Sequence, residues 1–118
     1  MTTEYDFHRI VMSYLSKALP EDVVPFHSPN GGYRRASEAG RLKAMGVIPG
    51  LPDVGVVNGG KIFWLELKAA KGRISPAQAY CHRRLEAAGS PVSVCKTLED
   101  VEAALIHAGI PIRARVTR

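Results

Sequence analysis

Residues 52–68 read PDVGVVNGGKIFWLELK, and this stretch decides the fold. Two apolar runs that contain β-branched residues, VGVV and IFWL, lie on either side of Asn58–Gly60, a sequence typical of the turn in a β-hairpin. In the second run the apolar residues occupy both alternating sets of positions, which indicates a strand covered on both faces. The stretch therefore predicts a β-hairpin whose second strand lies inside a sheet.

Asp53, Glu66 and Lys68 are the polar residues of this hairpin that need a chemical explanation. If the two-residue turn is at 59–60, Asp53 faces Glu66 across the hairpin. Lys68 then shares the face of Glu66, because side chains alternate along a strand. A turn at 58–59 also keeps the three groups on one face, whereas a three-residue turn moves Asp53 to the opposite face. Two of these three turns bring two carboxylates and an amine together.

The Asp53 and Glu66 carboxylates are suited to a divalent metal ion, because two such groups in contact repel each other without a cation. Mg²⁺ binds carboxylates while it keeps waters and phosphate oxygens in its shell, and it can activate water against a phosphodiester. Lys68 would orient or deprotonate that water if burial and the metal lower its pKa. The alternative is that Glu66 and Lys68 lie on an ordinary solvated strand face.

The composition is that of a basic protein of one domain. The chain has 118 residues, a formal net charge of +5 and a pI of about 9.5, which favours a polyanionic partner. The charge is uneven, since residues 1–30 carry −2 and the remainder +7. No apolar run reaches the length of a membrane span and no signal peptide opens the chain, so we expect a cytoplasmic protein with no membrane partner.

The cysteines and histidines do not suggest a zinc site. Cys81 and Cys95 are expected to be reduced core residues. The four histidines have no ligand-like spacing; they are His8, His27, His82 and His107.

The remaining sequence predicts helices around a small sheet, in the order helix, strand, helix, hairpin, helix, strand, helix. The helices are expected at 3–19, 36–45, 75–88 and 97–108, and the single strands at 23–27 and 91–96. The residues expected to face the core are Phe7, Ile10, Val11, Tyr14 and Ala18 in the first helix, and Ala39, Leu42 and Met45 in the second. We predict an α/β fold in residues 1–110, followed by a basic tail, 111–118, that is frayed or lies on a partner.

A specific resemblance covers nearly the whole chain, from Glu4 to about Ile110. The residues that carry it are Ser28–Gly32, Glu38-Ala39, Arg41–Lys43, Gly46-Val47, Pro49-Gly50, Pro52-Asp53, Glu66–Lys68 and Gln78. The ordered set resembles the virus-type replication-repair nuclease domain, VRR-NUC, of the PD-(D/E)XK superfamily of magnesium-dependent nucleases, in its small stand-alone form from phages and bacteria. The resemblance implies a restriction-endonuclease-like α/β/α core, in which a small mixed central β-sheet is flanked by helices.

The resemblance also implies roles for individual residues. Asp53 and Glu66 match the metal-binding acids, Lys68 the lysine that assists the attacking water, and Glu4 the acid of the first helix near the metal. Gln78 matches the glutamine that follows the catalytic strand and is counted with the catalytic residues.

Two of these matches have a structural alternative. Gln78 also completes a helix-capping box with Ser75, which needs no catalytic role. Glu4 is also an acid favoured by the dipole of a helix's first turn. The chain departs from the family near Glu4, since members often carry a glutamine shortly after that acid and this chain has His8 or Arg9.

A glycine-rich loop and nearby basic residues are expected to handle the nucleic acid. Exposed backbone N–H groups of such a loop can meet phosphate oxygens, although the same sequence would also serve as a simple turn. The residues expected to bind DNA are Ser28, Asn30, Gly31, Arg34, Arg35, Lys71 and Arg73.

The resemblance implies an endodeoxyribonuclease that hydrolyses phosphodiester bonds with Mg²⁺, for which Mn²⁺ can substitute, and that uses no small-molecule cofactor. We expect branched DNA such as a four-way (Holliday) junction as the substrate, a homodimer as the active form, and DNA repair in a bacterial or phage-infected cell as the setting. The alternative is a DNA-binding module of a replication or repair complex, with a weak or silent nuclease site.

Overall fold

The structure is a computed structural model, and it describes residues 3–29 and 36–116. The helices in this part of the chain are α1 (Glu4–Ala18), α2 (Ala36–Ala44), α3 (Pro76–Ala87) and α4 (Leu98–His107). The strands are β1 (Val24–His27), β2 (Val54–Asn58), β3 (Lys61–Leu67) and β4 (Val92–Cys95). The order of elements is the predicted one, and the α/β fold class is confirmed.

The strands form one mixed sheet in the order β1-β2-β3-β4. The first three strands are antiparallel, and β4 runs parallel to β3. Asn58 pairs with Lys61, so the turn consists of Gly59 and Gly60, whose φ angles of 59° and 78° suit glycine. This is the first of the three turns considered above. Because β2 and β4 pair with β3 on its two sides, β3 is an internal strand.

The main core lies between one face of the sheet and the helices α1 and α4. On β3 this face carries Phe63, Leu65 and Leu67, and on β2 it carries Val54 and Val56. Each fully buried side chain of this size stabilises the fold by about 1.5–3 kcal/mol relative to an exposed one. The core therefore anchors β3 from one side, while its other face carries Ile62, the buried Trp64 and Glu66.

The helices differ from their predicted faces at several positions. In α1, Ile10 is 48% exposed, whereas Leu15, which was not among the residues expected to face the core, is fully buried. The helix α2 is confirmed, but its predicted inward face is wrong at two of three positions, because Ala39 is exposed and Met45 is 78% exposed, whereas Leu42 is half-buried. A nine-residue helix with glycine and charged residues between single apolar residues has no continuous apolar stripe to bury.

Residues 111–116, predicted to begin a basic tail, pack against the domain. The backbone N–H of Arg113 donates to the carbonyl of Ala18 at 2.6 Å, and that of Val116 donates to Glu102 Oε2 at 2.7 Å. The residues of this segment that pack against the core are Ile112, Ala114 and Val116. Alternate apolar residues thus attach the segment to α1 and α4. Within the described residues, no helix is both long enough and apolar enough to cross a membrane.

Candidate functional site

Asp53 is held immediately before β2 by hydrogen bonds on both sides. Its carbonyl oxygen accepts from the backbone N–H of Ser28 at 2.7 Å and lies 3.1 Å from His27 Nδ1. Its side-chain Oδ2 accepts from the backbone N–H of Leu67 at 2.8 Å. The preceding Pro52 is fully buried. These contacts direct the half-buried carboxylate across the hairpin to β3.

Glu66 is the most buried charged residue among those described, with 1% of its surface exposed. Burial, followed by a hydrogen bond and charge repulsion from Asp53, raises the pKa of Glu66 to about 9; Lys68 opposes this shift. Without a cation, the Asp53–Glu66 pair therefore holds a proton at neutral pH. A divalent cation would replace this proton, because it offsets the same repulsion.

Lys68 follows Glu66 on the same face of β3 and is largely covered. Its side chain is 12% exposed, and its Nζ lies 3.9 Å from Oε1 of Glu4, whose side chain is 52% exposed. Glu4 thus comes to the site from the first turn of α1, but its carboxylate contacts the lysine. The structure brings Asp53, Glu66, Lys68 and Glu4 into one cluster at the end of the central strand.

Gln78 completes the predicted capping box and also lies beside the carboxylate of Glu66. Its Oε1 accepts from the backbone N–H of Ser75 at 2.9 Å, while its own backbone N–H donates to Ser75 Oγ at 3.1 Å, which completes the capping box of α3. Its Nε2 points at Glu66 Oε2, at 3.5 Å. One amide therefore caps the helix with its oxygen and approaches the carboxylate with its nitrogen.

Gly50 explains how the loop before Asp53 reaches the start of α3. Its φ angle is 77°, and a Cβ at this position would collide with the carbonyl of Ala77. Only glycine allows this close approach in this conformation. The contact places Asp53 and Gln78 on neighbouring segments.

His82 belongs to the site, and the sequence analysis missed it. Its Nε2 lies 2.9 Å from Glu66 Oε1, and its pKa is lowered by burial and then by the charge of Lys68. His82 follows Gln78 by four residues, so both side chains lie on one face of α3. The four-residue spacing between Gln78 and His82 was the signal in the sequence, and a pattern that pairs histidines as zinc ligands does not include it.

His8 and His27 form a second feature that the sequence analysis missed. Their rings meet edge to face, with centroids 4.4 Å apart, next to Asp53. Burial, followed by the charge of His27, lowers the pKa of His8. The signal in the sequence was that His8 lies four residues after Glu4, on the same side of α1.

The predicted DNA-binding residues fall into two groups. Ser28 contacts Asp53 through its backbone, and Lys71 and Arg73 are exposed on the segment between β3 and α3. The other predicted residues lie outside the part of the chain that the structure describes; they are Asn30, Gly31, Arg34 and Arg35.

The donor set fits a magnesium ion that keeps much of its water shell. Among residues 3–29 and 36–116, no three histidine, cysteine, aspartate or glutamate side chains are placed to hold a metal ion. Asp53 and Glu66 supply two hard carboxylate oxygens, and Mg²⁺ is commonly held by one or two carboxylates with waters and substrate phosphates. The site fits such an ion better than zinc, which takes at least three protein ligands.

The fold is shared with solved VRR_NUC structures. The chain is similar to a structure described as "VRR_NUC domain protein", with a TM-score of 0.72 and 23% identity, over 91% of this chain and 88% of that chain. It is also similar to one described as "VRR_NUC domain", with a TM-score of 0.57 and 21% identity, over 91% of this chain and 97% of that chain. No family model and no curated protein matches the sequence. The fold expected from the resemblance is confirmed.

Proposed function

We propose that the protein is a metal-dependent DNA endonuclease of the VRR-NUC type. The observation that carries this proposal is the buried Glu66 carboxylate in contact with Asp53, beside Lys68, at the end of the central strand of a VRR_NUC fold. A carboxylate pair whose ionisation is opposed by burial and mutual repulsion lowers the stability of the fold when it ionises. It is accounted for by a bound cation.

Asp53 and Glu66 would hold Mg²⁺, which when bound supplies activation of water and neutralisation of charge on the phosphodiester. His82 and Gln78 orient the Glu66 carboxylate through its two oxygens. The Lys68 amine donates a hydrogen bond to the attacking water or to the scissile phosphate. Glu4 restrains that amine from the solvent side.

The substrate class follows from charge. The excess of +7 beyond residue 30 attracts a polyanion to a site whose own ligands are negative. The resemblance supports branched DNA, such as a four-way junction, cut by a homodimer whose two sites act on two strands. Ser28, Lys71 and Arg73 would contact the backbone of the DNA, together with the basic residues 34 and 35.

The test is cleavage of end-labelled linear, flap and four-way DNA with Mg²⁺, with Mn²⁺ and with a chelator. We expect cleavage only with metal, and faster on branched DNA than on the linear duplex. Sedimentation at micromolar concentration measures the oligomeric state in the same buffer. Absence of cleavage of every DNA with both metals would contradict the proposal.

A second candidate is a DNA-binding module with a silent site, and the contact between His82 and Glu66 favours it. The 2.9 Å hydrogen bond occupies an oxygen that a metal ion would also use. Tight DNA binding by the wild-type protein, with no cleavage across a Mg²⁺ and Mn²⁺ titration, would select this candidate over the enzyme.

A further inference from the structure

A cavity of about 440 Å³ opens between α1, the segment after β3 and the start of α4. Its walls include Phe7 and Ile10 of α1, Ala70 and Leu98, and its basic lining residues are Lys71 and Lys96. The volume lies in the range of pockets that bind small molecules and nucleotides. None of the roles assigned above to the metal-binding cluster uses this cavity.

The cavity adjoins the proposed catalytic cluster. Its lining begins at Ala69, the residue directly after Lys68. On α1, Phe7 lies one turn after Glu4, whose carboxylate is 3.9 Å from Lys68 Nζ. The cavity therefore lies directly beside Lys68, within reach of a nucleotide next to a phosphate held there.

The lining combines apolar walls with positive charge. Ile10 is 48% exposed, although its position on α1 predicted a place in the core. The Lys96 ammonium donates to the carbonyl of Ala70 at 3.2 Å, which fixes one cation beside the apolar wall. Among the described residues of the lining, none is acidic. Such a surface suits a nucleotide, whose base is largely apolar on its faces and whose phosphate is anionic.

We propose that this cavity binds one unpaired nucleotide of the substrate strand, next to the scissile phosphate. The base would lie against Phe7, Ile10 and Leu98, and its phosphate against Lys71 and Lys96. The inference rests on the proposed nuclease function and adds a preference for DNA with an unpaired nucleotide beside the cut. A second copy of this chain is a poorer occupant of this cavity, because the described lining residues offer two lysines and no acid to pair with a basic surface.

The first experiment measures binding in a chelator, so that it does not depend on cleavage. A flap DNA carries the fluorescent base 2-aminopurine at successive positions near the branch, where loss of stacking on neighbouring bases increases its emission. We expect an increase at one position with the wild-type protein. The increase should be lost with Ile10→Glu, which places a carboxylate at the wall, and with Ala70→Phe, which fills the cavity from the opposite side.

Val24→Glu is the matched control, because Val24 is also an aliphatic residue that is half exposed, at 51%, and lies on the edge strand β1. It should retain the increase in fluorescence. Thermal melting of each protein confirms folding, and since both Ile10 and Ala70 have exposed side chains, at least one cavity variant should fold.

The second experiment measures kcat/KM with Mg²⁺. Ile10→Glu should lower it about tenfold on flap DNA, and less on a fully paired duplex, because one base contact is lost. Equal fluorescence with Ile10→Glu and the wild-type protein, or no increase at any position, would overturn the cavity assignment even if the DNA is cleaved. If Ile10→Glu removes the increase in fluorescence but the wild-type protein cleaves no DNA, the cavity assignment stands and the proposed nuclease function is rejected.

Discussion

The two faces of strand β3 differ most at its C-terminal end, although Trp64, on the face of Glu66, is also buried. Leu65 and Leu67 enter the core against α1 and α4, where the surroundings are apolar. Glu66 and Lys68, one residue out of phase, form the polar cluster with α3 and Asp53. The alternation of side chains lets one strand carry stability on one face and a costly carboxylate pair on the other. Changes on the two faces should therefore separate activity from stability.

The largest effect is expected from Asp53→Ala and Glu66→Ala on the polar face. Either change should lower the rate of DNA cleavage by about a thousandfold or more, because a metal ligand is lost. DNA binding, measured by fluorescence anisotropy, should be unchanged or tighter, since a negative charge is removed. Glu99→Ala, at an exposed acid of α4, is the control and should cleave normally. Cleavage near the wild-type rate in either variant would contradict the site assignment.

On the apolar face, Leu65→Ala should lower the free energy of unfolding by about 2–5 kcal/mol, because it leaves a cavity in the core. The cleavage rate per folded molecule should stay close to that of the wild-type protein. Urea denaturation measures the first quantity and cleavage at low temperature the second. If Leu65→Ala lost activity while it kept full stability, the division between the two faces would be wrong.

Glu66→Gln should stabilise the metal-free protein, and the gain should grow from pH 7 to pH 9. The pKa of Glu66 is raised in the folded protein to about 9, so the folded state holds a proton that the unfolded state has released. Its contribution to stability is full below the unfolded pKa and is lost as the pH rises through 9. Because the pKa values of His8 and His82 are lowered, both histidines titrate below the range from pH 7 to pH 9.

The measurement for this prediction is the melting temperature of both proteins in a chelator at several pH values. The pKa values of Cys81 and Cys95 are both raised in the folded protein, so their thiols stay protonated up to pH 9 and the difference between the two curves reports Glu66. Parallel curves would show that the carboxyl group does not hold a proton. Added Mg²⁺ should stabilise the wild-type protein more than Glu66→Gln.

The smallest effect is expected from the pair Ser75→Ala and Gln78→Ala. Both remove part of the capping box and should cost about 1 kcal/mol of stability. Only Gln78→Ala also removes the amide that approaches Glu66, so only this variant should lower kcat, by severalfold. Equal kcat values for the two variants would reduce Gln78 to a helix cap.

The hairpin could be predicted from the sequence because its information is local. The two adjacent glycines determine the turn, and the alternation of residues on both sides determines which side chains share a face. Asp53, Glu66 and Lys68 were found in this way. The boundaries of the helices were equally local, since Ser75 and Thr97 begin α3 and α4 with capping boxes.

The missing parts depend on contacts between segments far apart in the chain. His82 reaches Glu66 only because α3 crosses to the polar face of β3, and helical periodicity does not report that orientation. Ile10 fits an apolar stripe, but the segment after β3 leaves an open cavity beside it. Residues 111–116 were predicted to belong to a basic tail because their arginines alternate with the apolar residues that pack against the core.

The parallel pairing of β3 with β4 bears on the order in which the chain folds. The hairpin of β2 and β3 closes through a two-residue turn, whereas β4 reaches β3 only after the whole of α3. Local pairings form faster than distant ones, so the hairpin is expected to precede the docking of α3 and β4. His82 and Gln78 arrive with that later step. An unfinished chain emerging from the ribosome would thus carry its two acids without their partners, and the complete polar cluster would form last.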